Sequence, residues 1–587
     1  MPNYNLSTRL SPATERYKPG NAYLGTMKTQ RAQFHIKRQK GIPYLYVEKF
    51  VWDSKLNRNR LVISRYVGNA EKLFSMMDGK QFQEGTTESA RSFEFGKSAA
   101  LLSMAEELTL PEIFSNIFGA TEGETILQKM MLMVLGRFNP GPRPRSKLNT
   151  ASWYWKDSFL PFIWELEIPK EYKAFANDLY ECMDEFTPEK QDAIWTRVAH
   201  RLIDLGRRPT RLILDGSNIA TWITQEHGEI PRKGWSKEKR YDLNLVGFHA
   251  AVDSDGIPFF GGVHPGNTSD ADLFRDMVDK MATRLSELNI QPEETSLIID
   301  KGNNSEDGLN DAWKKGFHII GTIKRNQKEE LLDIPLEKHA RLEFEKDNPI
   351  YTYRATEIQY GKECSLVVVY NPRTQKKEEL DYIKAKTSFI ALCKDLDKKI
   401  IRVGRGKKLT PSGAYKLMVK SVYPKYEGVF KGEVDKNGDF LWWIDKDHEK
   451  KLMKGFGKQI LFTDLNGMAT KDIVEAYLSR NVIEHEFSEC KKLIVIPIGP
   501  VWHYEDRRIR AHIFLCLLGM LMFRYMLVKL APLKMTELEI LSELGRLRLG
   551  YGIREGKMDF LLENYGRTSR EINKLIDFDR FIPNAGS

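Results

Sequence analysis

The chain has 587 residues, is 41% hydrophobic, and carries a formal net charge of +10 with an isoelectric point near 9.0. Its length predicts about two to four domains, and its apolar content excludes wholesale disorder. The basic balance favours a polyanionic partner. The five cysteines, at 182, 364, 393, 490 and 516, are scattered with no C-x2-C pair, so no zinc site or disulfide framework is indicated, which suits a reducing cytoplasm.

Residues 1–40 hold eight Lys or Arg against the single acid Glu15, and read as a basic arm that is either disordered or in contact with DNA. They lack the apolar core of a secretory signal. Over 41–97 the runs Tyr44 to Val51 and Arg60 to Val67 predict a hairpin turning at Asp53 to Asn59. From 98 to 205 apolar residues recur at three and four, most clearly in Thr125 to Leu135, and predict helices. The basic loop Phe138 to Ser146 interrupts them, and Trp153, Tyr154, Trp155 and Trp164 read as core residues.

Two stretches then share one design. Arg211-Leu-Ile-Leu-Asp215-Gly-Ser-Asn and Ser296-Leu-Ile-Ile-Asp300-Lys-Gly-Asn-Asn each read as a buried strand ending in a carboxylate and a turn. Between them lie a strand from Leu243 to Asp253, a turn at Asp253 to Gly256 and a return strand from Ile257 to Val263. A helix follows from about Asp272 to Leu288, capped by Ser269. After Asp300 come a short helix, Glu306 to Lys315, and the strand His318 to Ile323. The order is that of a ribonuclease-H-like sheet.

Asp300 and the next acid of interest, Glu484, are too far apart for one crossover, so a domain is expected between them. The runs Ile350 to Ile358, Ser365 to Tyr370 and Phe440 to Ile444 suggest a β-rich insertion over 326–459, with a basic loop at Arg402 to Lys408. Trp442 or Trp443 would either stack on an extruded DNA base or pack the insertion's core. Ile513 to Phe523 is apolar but too short to span a bilayer, and reads as a buried helix behind the sheet, after the basic cluster Arg507, Arg508 and Arg510. No membrane partner is expected. Beyond Pro532 the chain reads as helical, with a frayed tail from Phe581 to Ser587.

The most informative segment is Tyr477-Leu-Ser-Arg480-Asn-Val-Ile-Glu484-His-Glu-Phe-Ser-Glu-Cys-Lys491, a Y-x2-R-x3-E-x6-K pattern. On one helix, Arg480, Glu484 and Lys491 would fall within about 60° of the bearing of Tyr477. An acid among hydrogen-bonding and cationic groups can hold a divalent metal while its neighbours grip nucleic-acid phosphates. A solvated face of weak ion pairs is the plain alternative.

Together with Gly234 to Leu243, Pro265 to Asp270 and Arg507 to His512, these acids and the signature resemble the DDE transposases of prokaryotic insertion sequences, in the Y-R-E-K group (insertion-sequence-four-type). The resemblance runs from about Pro43 to Leu530. It implies an α/β fold: a ribonuclease-H-like mixed-sheet catalytic core at 206–325 and 460–530, interrupted by the β-rich insertion, after a helical N-terminal region. Residues 98–205 would bind the terminal inverted repeats, and 531–587 would be a helical C-terminal region. Asp215, Asp300 and Glu484 would be the metal-binding catalytic triad, and Tyr477, Arg480 and Lys491 would contact DNA phosphates.

The implied enzyme is a metal-dependent endonuclease and strand transferase. Its cofactor would be two Mg²⁺ ions, with Mn²⁺ able to substitute, and hard cations of this kind prefer carboxylate oxygens. Its partners would be double-stranded DNA, as transposon ends and target, and a second copy of the chain in the synapse. Its place would be the cytoplasm, on the nucleoid. Two other readings keep the same fold: a nuclease without strand transfer, and a host-recruited DNA-binding protein without catalysis.

Overall fold

The computed structural model describes residues 33–39, 42–53, 58–69, 91–139, 144–164, 166, 171–223, 228–236, 240–345, 348–401, 408–481, 483, 495–554 and 557–583. Most of the basic arm, the Arg402 to Lys408 loop apart from Lys408, and residues 584–587 of the tail lie outside them. Two compact units separate at Glu88. In the first, β1 (Gln33–Gln39), β2 (Ile42–Asp53) and β3 (Arg58–Asn69) form an antiparallel meander. β2 and β3 are the two runs expected to form a hairpin, and Asp53 pairs with Arg58 at its end.

The second unit opens with β4 (Arg91–Glu94) and then six helices between Gly96 and Asp204, counted among the described residues. Their starts follow local chemistry. Ser146 accepts from the Asn149 N–H at 3.2 Å, and Thr187 caps a helix with Pro188 at its first position. Trp153 and Tyr154 are buried among them.

Next comes the central sheet. Its strands are β5 (Arg211–Thr221), β6 (Asn244–Val252), β7 (Pro258–Pro265), β8 (Ser296–Ile298), β9 (His318–Ile323), β10 (Ala340–Glu345), β11 (Asn348–Gln359) and β12 (Lys362–Tyr370), with the later β15 (Lys458–Thr463) between β12 and β9. Across the sheet the order is β10-β11-β12-β15-β9-β8-β5-β6-β7. Only β5, β8 and β9 run parallel to one another; every other neighbouring pair is antiparallel. A large mixed sheet with helices of this kind is compatible with a ribonuclease-H-like core.

Two helices cover opposite faces of this sheet. The helix Asp270–Glu287, capped by Ser269, lays Leu273 over Gly216 of β5, where a methyl group would meet Leu273 Cδ2 at 2.3 Å. Strand alternation turns Gly261 of β7 to the other face, and there Leu517 of the helix Asp506–Leu530 packs against it. This second helix is buried all around, as a central core helix must be. Among the described residues it is long and apolar enough to cross a membrane, but 78% of its most apolar stretch is buried inside the protein.

The stretch expected to be one β-rich insertion is divided differently. β10, β11 and β12 extend the central sheet. What interrupts it is a mostly helical excursion, with helices Pro372–Ile401, Pro411–Ser421 and Lys446–Lys454 around the hairpin of β13 (Phe430–Val434) and β14 (Phe440–Ile444). It has a separate hydrophobic cluster built on Tyr382, Phe389, Cys393 and Leu396. Within it Glu449 accepts from the Tyr382 hydroxyl at 2.6 Å and Lys386 at 2.7 Å, and the Lys386 and Tyr382 bonds hold its pKa down at about 2.

The C-terminal region also departs from an all-helical expectation. After the helix Glu537–Arg546, β16 (Arg548–Arg554) and β17 (Lys557–Glu563) pair, and β16 also pairs with β4. The partner strand is more than 450 residues upstream, so local sequence carries little sign of it.

Asp464, just past β15, ties three strands together. Its carboxylate accepts from the Ile319 N–H at 2.8 Å, from His318 Nδ1 at 2.9 Å and from Lys362 Nζ at 3.0 Å. Burial alone would raise its pKa; the Ile319 N–H, His318 and Lys362 outweigh that and leave it below the usual carboxylate range. A depressed folded-state pKa contributes stability that is present above about pH 4 and lost as pH falls through the lower folded value. Asp464→Ala is therefore expected to cost about 2–4 kcal/mol at pH 7 in urea unfolding, with the gap to wild type narrowing on acidification.

Candidate active site

The site grows from the register of three strands. β5 and β8 pair in parallel as Arg211 with Ser296, Leu212 with Leu297 and Ile213 with Ile298. Asp215 and Asp300 each lie two residues beyond the last of these pairs, Ile213 with Ile298. On its other side Asp215 pairs with Ala250 of β6, which pairs with Gly261 of β7. Asp215 thus shares the face on which Leu517 packs.

One detail differs from the sequence reading. Asp215 does not end its strand: β5 continues through Gly216, Ser217 and Asn218 to Thr221, because β6 pairs with it over that whole length. β8 stops at Ile298, and Asp300 leads into a single helical turn, Lys301–Asn303. Asp215 therefore sits where β5 loses one neighbour and keeps the other. Its Oδ1 accepts from the Gly216 N–H at 2.8 Å, and both acids are half-buried.

Arg480 reaches Asp300. Its Nη1 lies 3.6 Å from Asp300 Oδ2, and its guanidinium sits 5.4 Å from the centroid of the Tyr477 ring. Tyr477 is buried beneath it, not on an outer face. The described helix ends at Leu478, Ser479 and Arg480 form a turn, and Asn481 and Ile483 are again helical, so the face expected from Tyr477 to Lys491 is described only in part. Glu484 and Lys491 lie outside the described residues.

The donor set fits a hard divalent cation. Mg²⁺ is commonly held by one or two carboxylates and completed by water and substrate phosphates, which suits Asp215 and Asp300. Among the described residues no group of three or more Asp, Glu, His or Cys side chains gathers around one point. The acid Asp270 was passed over in the sequence. A methyl group at Gly302 would stand 2.7 Å from its Oδ2, so it lies close to the Asp300 turn. Its place at the end of Pro265 to Asp270 was the available signal.

Trp442 and Trp443 belong to the separate helical excursion. Trp442 donates from Nε1 to Asp397 at 2.9 Å and meets Phe389 edge-on, whereas Trp443 is exposed on the opposite side of β14. The basic cluster is largely engaged: Arg508 makes a two-pronged pair with Asp184 at 2.8 and 2.7 Å, and Arg507 contacts Glu505 and Asp184.

A mixed sheet with two neighbouring parallel strands, each followed closely by an acid, is compatible with an acid-based nucleic-acid enzyme class. The family profile described as "Transposase DDE domain" matches residues 206–519, more than half of the chain, and the chain belongs to that family. Such domains are in general metal-dependent and cut DNA, which makes this protein a transposase by family. No curated protein matches the chain.

Two further stretches of the resemblance meet near the core. A methyl group on Gly234 would stand 2.3 Å from the Gly266 carbonyl oxygen, and one on Gly266 would stand 2.1 Å from that of Leu245. Both obstacles are backbone, which cannot swing aside. Gly266→Ala is expected to lower stability by about 3 kcal/mol in urea unfolding, whereas Gly467→Ala, where a methyl group meets open space, should change it by less than about 1 kcal/mol.

Proposed function

We propose that this transposase cuts DNA at the ends of a mobile element and joins the resulting 3′-hydroxyls to target DNA. What supports the reading is membership of the DDE family, together with two acids that each lie two residues past the paired parallel stretch of β5 and β8. Glu484 is proposed as the third acid, on the sequence pattern alone. The three carboxylates would hold two Mg²⁺ ions, or Mn²⁺ in their place. Bound there, the cations supply charge relief at the scissile phosphate and a more acidic water.

The chain's own groups have separate tasks. Asp215 and Asp300 concentrate negative charge at the strand edge and fix where cations and phosphate meet. Arg480, in the field of Asp300, is placed to donate to phosphate oxygens in a planar fork. Tyr477 supports the guanidinium from below and so acts as a positioning residue. Lys491 is proposed to add a phosphate contact near the element's end. Trp443 is better exposed than Trp442 to meet an extruded base. The partners are then duplex ends and target DNA, with a homodimer holding two ends, in the cytoplasm on the nucleoid.

The test uses duplexes carrying the inverted repeats that flank the reading frame. Asp215→Asn, Asp300→Asn and Glu484→Gln should each reduce Mg²⁺-dependent cleavage about 1000-fold or more, while end binding stays within a few-fold. Substantial cutting by any of the three sinks the triad; cutting without joining by wild type favours a nuclease. Lys491→Ala should instead weaken end binding and lower the salt slope by about one.

A further inference from the structure

At the far end of β5 the protein exposes a patch of aromatic rings that its core does not use. Trp222 and Trp502 lie nearly parallel, with an interplanar angle of 15° and centroids 6.2 Å apart, and they are 49% and 65% exposed. The Arg240 guanidinium sits 4.9 Å from the Trp222 ring centre. Next to Arg240 in the chain, Tyr241 meets Trp235 at 5.7 Å with the rings tilted by 60°; Trp235 is 74% exposed and Tyr241 55%. Arg240 therefore links two ring pairs into one surface.

The backbone beneath is fixed. Thr221 and Val501 form a bridge, and the Thr221 hydroxyl donates to the Val501 carbonyl at 3.1 Å. Trp222 and Trp502 directly follow the two bridged residues. Asn218 Nδ2 donates to the Trp235 carbonyl at 2.9 Å. Both ring pairs are thus rooted in the strand that carries Asp215, about 10 Å and about 23 Å along it. The longer distance is about seven stacked nucleotides at 3.4 Å each.

Single exposed apolar side chains need no explanation, but a joined group of large ones marks an interaction surface. Flat, exposed rings held on a rigid base suit one ligand chemistry above others: successive nucleobases of an unpaired strand stacked on the rings, with Arg240, paired to Asp242 at 2.9 and 2.8 Å, steadying the Trp222 ring. We propose that Trp222, Trp502, Trp235, Tyr241 and Arg240 form a stacking platform for single-stranded DNA leading away from the acid pair. The proposal rests on the transposase reading for the source of that strand, but the binding itself is measured without catalysis.

The experiment uses the full chain in EDTA with a fluorescent single-stranded oligonucleotide, the matching duplex, and a strand of the same length lacking bases. Trp222→Ala and Trp502→Ala should each weaken single-strand binding about ten-fold, with Trp→Phe recovering most of it and duplex affinity changing less than about two-fold. Wild type should bind the base-free strand about ten-fold more weakly than the normal one, a comparison that needs no variant to fold. Equal binding of the two strands overturns the platform. So does unchanged single-strand affinity in thermally stable Trp→Ala variants, or a shift in oligomeric state without loss of DNA, which would make the patch a protein interface. Wild-type cleavage of end-bearing duplex in Mg²⁺ is scored separately. If cleavage occurs and the platform results fail, only the platform falls; if single strands bind as expected and no cleavage occurs, the transposase reaction falls and the platform stands.

Discussion

The short pairing between β5 and β8 is the constraint on which the site depends. Three residue pairs set the register, and each acid follows two residues after the last of them, although 85 positions separate the two in the chain. Had the pairing slipped by one residue, the two acids would no longer follow the last pair at the same offset. The buried neighbours of the two acids fix the alignment: Leu212, Ile213 and Leu214 on one strand, and Leu297, Ile298 and Ile299 on the other, all fully or almost fully buried. The acids fall just beyond this apolar clamp, where the backbone is rigid and the side chains can still meet solvent.

Much of this core was legible. The alternation and turn residues from Leu243 to Val263 give the β6–β7 hairpin, whose turn closes with the Asp253 N–H donating to the Ile257 carbonyl and with Gly256 at φ +84°. Ser269 was readable as a cap because a serine precedes the acidic first turn of an amphipathic helix. Other parts were not legible because the deciding partner is remote. Gly216, Ser217 and Asn218 look like a turn locally, yet β6 draws them into the ladder. The long helix Pro372–Ile401 went unseen although Tyr382, Phe389, Cys393 and Leu396 recur at seven, four and three; its many lysines and acids hid a narrow apolar stripe. At the site, the acids could be named from the sequence, whereas the burial of Tyr477 under Arg480 depends on packing that only the fold supplies.

The helix Asp506–Leu530 explains why dispersed segments of the second unit share one large hydrophobic cluster. It packs on β7 through Leu517 and Gly261 and meets the N-terminal helices through Gly519, where a methyl group would touch Val134 and Ile496 at 2.7 Å. Aromatic contacts of Phe514 with Phe186 and Trp195 extend that packing. Sequence that is far from the acids therefore buttresses the sheet that carries them. Loss of packing along this helix would disturb the acids without touching either one.

The helical excursion leaves and rejoins the sheet at one place. Tyr370 of β12 pairs with Lys458 of β15, and the Asn371 N–H donates to the Gly457 carbonyl at 2.8 Å. In topological terms the whole segment is the loop of a single hairpin, whose two stems would remain paired with a loop of almost any size. Loop length carries only a slowly growing entropic penalty. This joint lets the segment vary in length at small entropic cost while the pairing of β12 with β15 behind it is kept.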